Sequence, residues 1–467
     1  MHFIDYFVFG VYFLGVLAVG VYFFLKNTDR EDYFVGGRSI SSMHVGLSIV
    51  ATDVGGGFSI GLAGLGYVMG LAGSWLLFTG LIGAWLAAVF TVPKLKTMDM
   101  ESGFLTYPDF LAKKFGGRVA LLAAVISGIG YLGFTGGQVL AGAKLAAGSV
   151  FSNMEIMEPM QFSLYVMTVI ILLYTVLGGI KAVIYTDTIQ WIVLLSGLIF
   201  LGFPFAWQAA GGWQGIRAEI PQAHFTFTNV SIPTLINWAF TIIPIWFIAM
   251  TLYQRVYASP TVKDAKRAFF IAGVFEYPIM AFVGVGLGIL SRVGFPNADP
   301  EMALPRLLND VLPIGASGFV LASYFSAVMS TADSCLIASS GNFTNDIFAK
   351  IFKDRSDKFI MRLSQVITLI VGVLAFLLAS QFTSVLNIVL QAYGFMVSGL
   401  LVPTLMGYFS NKHNSNAALA SMFSGGGFTL AAIFLDMSLP FGLDPTVFGL
   451  AISAVVYFFV FSLRKRV

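Results

Sequence analysis

Ala51-Thr52-Asp53-Val54-Gly55-Gly56-Gly57 interrupts an apolar stretch, 42–66, that is otherwise long enough to cross a membrane. Each glycine costs a helix about 1 kcal/mol relative to alanine. A carboxylate at bilayer depth costs several more unless it is paired or faces a cavity. A break of this kind is tolerated where the freed backbone groups line a site, and in transporters it marks the position of substrate and ion. A glycine-rich packing face with a snorkelling aspartate would leave the same letters, but it would not explain why the charge and the break coincide.

Outward from that break, the 467 residues are 57% hydrophobic and only 10% charged. The mean hydropathy is +0.85. No soluble globular class has this composition. Thirteen apolar stretches of spanning length can be counted, at 3–25, 42–66, 71–93, 119–151, 161–180, 182–207, 233–253, 268–290, 315–347, 363–380, 384–409, 416–436 and 445–463. With the N-terminus outside, every lysine and arginine except Lys144, Arg217, Arg292 and Arg306 falls in a cytoplasmic loop or the cytoplasmic C-terminus. That asymmetry is what the positive-inside rule demands. The net charge of +3 therefore reads as loops facing an anionic leaflet, with lipid as partner and no nucleic acid. Met1-His2-Phe3-Ile4-Asp5 lacks a basic leader, so the first stretch reads as a retained helix. A lone cysteine, Cys335, leaves no disulfide and no cysteine-based metal cluster. Loops are short, and neither a soluble signalling domain nor an obligate protein partner is expected. With no GxxxxGK[ST] loop and no catalytic pair, ATP-driven transport and enzymatic activity are not expected either.

The chain divides into an N-terminal extra helix (1–37), a first five-helix block (38–209), a second (233–410) and two further helices (411–467). An odd number of helices per block inverts the second against the first, as in many secondary transporters. Each block opens on an interrupted helix. The second interruption is Pro244, in Ile242-Ile243-Pro244-Ile245-Trp246.

Facing the first break in function is Ser326-Ala327-Val328-Met329-Ser330-Thr331-Ala332-Asp333-Ser334. Ala327, Ser330, Thr331 and Ser334 recur at helical spacing on one stripe. A hard monovalent cation replaces its hydration shell with oxygens. Two carbonyls from the 42–66 helix, one from this helix and two hydroxyls would supply five. Small-residue helix packing would produce the same stripe, and it is the pairing with the break that favours an ion site. Asp187, in Tyr185-Thr186-Asp187, follows Gly178-Gly179 at a helix start. It is expected either to place a charge on a cytoplasmic ion path or to cap the helix N-terminus. Asp346 is expected at the interface, and Glu276 and Lys144 as packing pairs or snorkelling charges. Gly55, Gly56, Gly57, Phe58, Gln138, Trp246, Met250 and Gln391 lie at depths suited to a solute pocket.

Five segments in order resemble the sodium:solute symporter family, which includes proline, pantothenate, sialic acid, sugar and choline carriers. They are Glu31-Asp32-Tyr33-Phe34-Val35-Gly36-Gly37-Arg38, Thr106-Tyr107-Pro108-Asp109-Phe110, Tyr174-Thr175-Val176-Leu177-Gly178-Gly179 with Tyr185-Thr186-Asp187, Gln254-Arg255, and Ser326 to Ser334. The resemblance implies an all-α polytopic membrane protein with a LeuT-type inverted-repeat core. It also implies a sodium ion held by the carbonyls of Ala51, Val54 and Ala327 and the hydroxyls of Ser330 and Thr331. Asp53 would sit beside that ion, and Asp187, with Ser334, would serve the ion path or a second sodium. The glycine triplet and Met329 to Ser334 look closest to the choline-carrier branch, whereas Asp53 follows the proline-carrier pattern. The expected function is sodium-coupled symport of a small polar organic solute, such as proline or an organic acid, across a bacterial plasma membrane. Uptake of choline or another quaternary amine, and a proton-coupled carrier of the same fold, are the alternatives.

Overall fold

The computed structural model describes residues 2–26, 35–152, 157–175, 180–352 and 354–463. The 31–34 and 176–179 parts of the family motifs lie outside the described residues, as do Arg30, Lys353 and the basic 464–466 segment. All regular structure among the described residues is helical.

The chain opens with α1 (Phe3–Lys26), then α2 (Ser42–Asp53) and α3 (Gly56–Met69) on either side of the glycine break. Next come α4 (Trp75–Phe90), α5 (Val92–Ser102), α6 (Tyr107–Phe115) and the long α7 (Gly117–Gly148). Helices α8 (Pro159–Thr175), α9 (Ile180–Gly197), α10 (Phe203–Ala209) and α11 (Gly212–Glu219) follow. The second interrupted helix is α12 (Ile232–Ile245) with α13 (Met250–Ala258). Then come α14 (Val262–Val274), α15 (Ala281–Gly294), α16 (Pro300–Val311) and α17 (Ala316–Gly341). The chain closes with α18 (Asp357–Ala379), α19 (Val385–Phe409), α20 (Ser415–Phe434) and α21 (Pro445–Leu463).

Ten helical runs among the described residues are long and apolar enough to span a bilayer. One of them, Gly57–Phe90, takes in parts of two expected stretches, and Phe3–Val16 and Pro159–Leu173 are shorter apolar helices. Starts are set by local chemistry. Thr106 and Asp109 form a reciprocal capping box at α6. Ser384 and Asn414 accept backbone N–H groups at α19 and α20.

The centre of the bundle is α17, whose most apolar window is buried throughout. It packs against α7, α9 and α1, while α2 lies against α14 and α9. Lipid-facing rows such as Val366, Leu369, Ile370 and Val373 on α18 are exposed, as a bilayer-bathed surface should be.

Candidate functional site between the interrupted helices

The glycine break is real, and its geometry explains its composition. Helix α2 ends at Asp53 and α3 starts at Gly56. Gly55 between them adopts φ +26°, in the region that disfavours side chains. A Cβ there would lie 2.1 Å from Thr331 Oγ1 and 3.0 Å from the Ala51 carbonyl oxygen. Glycine is thus required twice, for its dihedral and for the close approach of α17. The partner break follows Pro244, where α12 stops at Ile245 and extended Ala249 precedes α13. Proline removes a backbone donor and crowds the preceding turn, which is how the sequence ends α12 there.

At the first break, Thr331 Oγ1 lies 3.0 Å from both the Ala51 and the Ala327 carbonyl oxygens. Ser330 Oγ lies 3.2 Å from the Ala327 carbonyl. Thr331 is thus the contact that joins the first break to α17, the bonds of Ser330 and Thr331 to the Ala327 carbonyl being made within α17, with Val54 in the turn beside Ala51. The donor set is all oxygen and uncharged, which suits a hard monovalent cation.

One helical turn towards α13 lies a second, charged constellation. Asp187 Oδ2 accepts from Ser48 Oγ at 2.5 Å and from Arg255 at 3.1 Å, and Asp187 and Arg255 are both fully buried. Arg255 also donates to Thr52 Oγ1, to Ser334 Oγ at 3.2 Å and to the Thr251 carbonyl at 3.1 Å. Two expectations are corrected here. Asp187 is no helix cap, because α9 has begun by Ile180 and Asp187 lies two turns inside it. Arg255 is not a loop residue facing the leaflet but a buried member of α13. A buried carboxylate needs a partner, and the guanidinium, which also donates from Nε to Ser48 Oγ at 3.0 Å, satisfies five groups at once.

The proposed pocket residues separate. Phe58 packs on Phe134 and Tyr393, with ring centroids 6.4 and 6.0 Å away. Gln138 Oε1 accepts the Gly57 N–H at 3.0 Å, while its Nε2 has no partner. Trp246 is buried at the second break, its indole N–H unpartnered, with its edge against Gly83. Met250 instead accepts the Tyr107 N–H through Sδ, which ties it to α6 rather than to the break. Gln391 is half-buried, and Tyr393, about half a helical turn away, is the residue of α19 that reaches the break. Its hydroxyl donates to Asp53 Oδ1 at 3.1 Å.

The carboxyl of Glu276, fully buried, faces Asp53. It is not one of the packing pairs expected from the sequence. Lys144 is such a pair: it binds Asp299 at 2.9 Å and Glu301 at 2.8 Å. Asp346 is buried, and accepts from Thr106 Oγ1 at 3.0 Å.

Residues that sequence reasoning missed are Ser48, Thr52 and Tyr393, while Arg255 and Glu276 were noted but not placed at the site. Ser48 and Thr52 did carry a signal, a hydroxyl pair at i, i+4 leading into the break. Glu276 carried one too, as the one charged residue in the apolar stretch 268–290, but its partner Asp53, like that of Tyr393, is more than two hundred residues away in sequence and could not be read.

An all-helical bundle of membrane-spanning length, with two interrupted helices around a buried polar site, defines a membrane transporter. The profile of the sodium:solute symporter family matches residues 33–425, and the chain belongs to that family. It is 27% identical over 465 residues to the high-affinity proline transporter PutP of Bacillus subtilis (strain 168), covering 96% of each chain. It is 25% identical over 476 residues to the osmoregulated proline transporter OpuE of the same organism, covering 98% of this chain and 94% of that one. Sodium/glucose cotransporter 4 of Homo sapiens is 27% identical over 496 residues, with 94% of this chain and 70% of the relative covered. Among solved structures, the substrate-bound outward-open state of a Na+-coupled sialic acid symporter aligns with TM-score 0.78 at 22% identity, covering 98% of this chain and 96% of that one. A nucleobase-cation-symport-1 family transporter in a closed conformation aligns with TM-score 0.59 at 13% identity, covering 92% and 94%. These two show the fold. The chain is thus a multi-pass membrane transporter that couples sodium to the symport of small solutes, and not an enzyme.

Proposed function

We propose that this symporter takes up a small polar organic solute, with one sodium ion seated at the first break by the carbonyls of Ala51, Val54 and Ala327 and the hydroxyls of Ser330 and Thr331. The observation that carries the reading is Thr331 Oγ1 lying 3.0 Å from carbonyls of two different helices. An ion there replaces the hydroxyl's hydrogen bonds and pins α2 and α3 to α17. The layout we propose has thirteen crossings, with 38–209 and 233–410 as inverted repeats, 1–37 as an extra first helix and 411–467 as two last ones. The N-terminus is then outside and the C-terminus cytoplasmic, and the membrane is a bacterial plasma membrane.

Asp187, neutralised by Arg255, and Ser334 line the ion's cytoplasmic route. Asp53 sets the field at the break from outside the oxygen shell. Gly57, Phe58, Gln138 and Trp246 form walls of the solute pocket, and the turn at Gly55 and Gly56 brings them together. Ion binding and solute binding then favour the same arrangement of the two broken helices, which is coupling through differential affinity. Solute uptake into proteoliposomes, with sodium replaced by potassium at fixed pH, tests the reading. Uptake should collapse without sodium. Uptake that persists in potassium and follows an imposed pH gradient would make the carrier proton-coupled.

A further inference from the structure

We propose that the facing carboxyls of Asp53 and Glu276 form the seat for a protonated or quaternary amine, so that the transported solute is a small organic cation; this rests on the symport reading above.

Glu276 lies in a π-helical stretch, Phe275–Met280, between α14 and α15, where Tyr277 leaves helical geometry with φ −139° and ψ 119°. Such local widening re-aims a side chain and is frequent at functional sites. Here it turns the carboxyl inward, fully buried, with Oε2 against Gly80, where a Cβ would lie 2.3 Å away. Any larger residue at position 80 would collide with the Glu276 carboxyl. No N–H or hydroxyl donates to either carboxyl oxygen of Glu276, whose polar neighbour is the Asp53 carboxyl, and no lysine or arginine among the described residues pairs with it. Asp53 faces it, held from the other side by the Tyr393 hydroxyl at 3.1 Å. Two buried carboxyls in contact cannot both stay ionised unless a cation joins them; without one they share a proton, and an amine entering the seat would take that proton's place.

A second group points to the same place. Trp246 Nε1 is buried without a partner, and its indole edge lies on Gly83, one turn along α4 from Gly80. The seat is therefore flanked by an aromatic ring and an unused donor on one side, and by the Tyr393–Phe58–Phe134 cluster on the other. Sodium calls for a shell of oxygens, which the Thr331 site supplies. Two carboxyls in a setting of aromatic side chains, without a shell of neutral oxygens, suit an organic cation better than sodium. The unused N–H groups of Trp246 and Gln138 fit an acceptor on the remainder of the solute, such as a hydroxyl or carboxylate.

The test uses the full-length purified chain in detergent with sodium, and reads thermal stabilisation by choline, putrescine, L-lysine and L-proline. The neutral isosteres 3,3-dimethyl-1-butanol and 1,4-butanediol serve as controls. At least one net-cationic amine is expected to stabilise the wild type, and neither alcohol nor proline should. In Glu276→Gln the amine's apparent affinity should fall by about tenfold or more, as for a lost buried charge partner. Glu276→Asp should recover part of it. Stabilisation by sodium alone should be unchanged in both variants, which also shows that they are folded. No response to any amine, or equal amine affinity in wild type and Glu276→Gln, would overturn the proposal. So would solute-driven proton uptake that Glu276→Gln abolishes, which would make the pair a proton site. Absence of any sodium effect in the wild type would instead strike the symport reading, so the two failures are distinguishable.

Discussion

Thr331 contributes one hydroxyl, yet it touches carbonyls of α2 and α17 at equal distances. Removing it with Ser330 strips two of the five proposed oxygen ligands, each worth roughly 1 kcal/mol net. Ser330→Ala with Thr331→Ala should therefore raise the sodium concentration for half-maximal uptake about tenfold or more, and change solute affinity at saturating sodium far less. Sodium titration of uptake reads both quantities. Gly55→Ala should abolish uptake, because it strains φ and drives a methyl into Thr331. Asp187 and Arg255 give a different signature. Asp187→Asn leaves a buried guanidinium short of its counter-charge, a loss on the order of 3–5 kcal/mol. Asp187→Asn with Arg255→Met removes both charges and should regain most of the lost thermal stability. A double variant no more stable than the single one would show that Arg255 is not held by Asp187.

At the scale of elements, the two helix breaks were legible because their causes are local. Both breaks lie at or just after the letters that flagged them, a glycine triplet beside a carboxylate and a proline, although such letters alone do not end a helix here, since Gly425 to Gly427 lie within α20 and Pro403 within α19. The hydroxyl stripe on α17 was legible for the same reason, since its periodicity belongs to one helix. What could not be read was pairing between distant elements. Arg255 near a helix end looks the same in sequence whether it meets lipid headgroups or Asp187, and only the packing of α13 on α2 distinguishes them. Glu301 shows a further element-scale device. Its carboxyl binds Lys144 of α7 and accepts from the first N–H groups of α19, at Val385 and Leu386. That joins α7, α16 and α19 at the outer end in the proposed orientation, and a carboxylate at a helix N-terminus is electrostatically favoured there. Glu301→Gln should loosen this end and quicken outward opening. Faster labelling of a cysteine placed in α3 would report it, and unchanged labelling would show the contact to be passive.

Across the whole molecule, the free energy for transport comes from sodium crossing the membrane. One charge moving through about 100 mV supplies roughly 2.3 kcal/mol before any concentration gradient. That energy reaches the solute only if the ion and the solute act on the same two broken helices, and the proposed ion residues Ala51 and Val54 and the proposed solute residue Asp53 lie within four residues of one another at the first break. The central claim is that this turn and α17 hold sodium. Equilibrium binding of radioactive sodium to the purified protein, wild type against Ser330→Ala/Thr331→Ala, tests it most directly. The account predicts saturable binding that potassium does not displace, and its loss in the double variant. Wild-type sodium binding in that variant would contradict it.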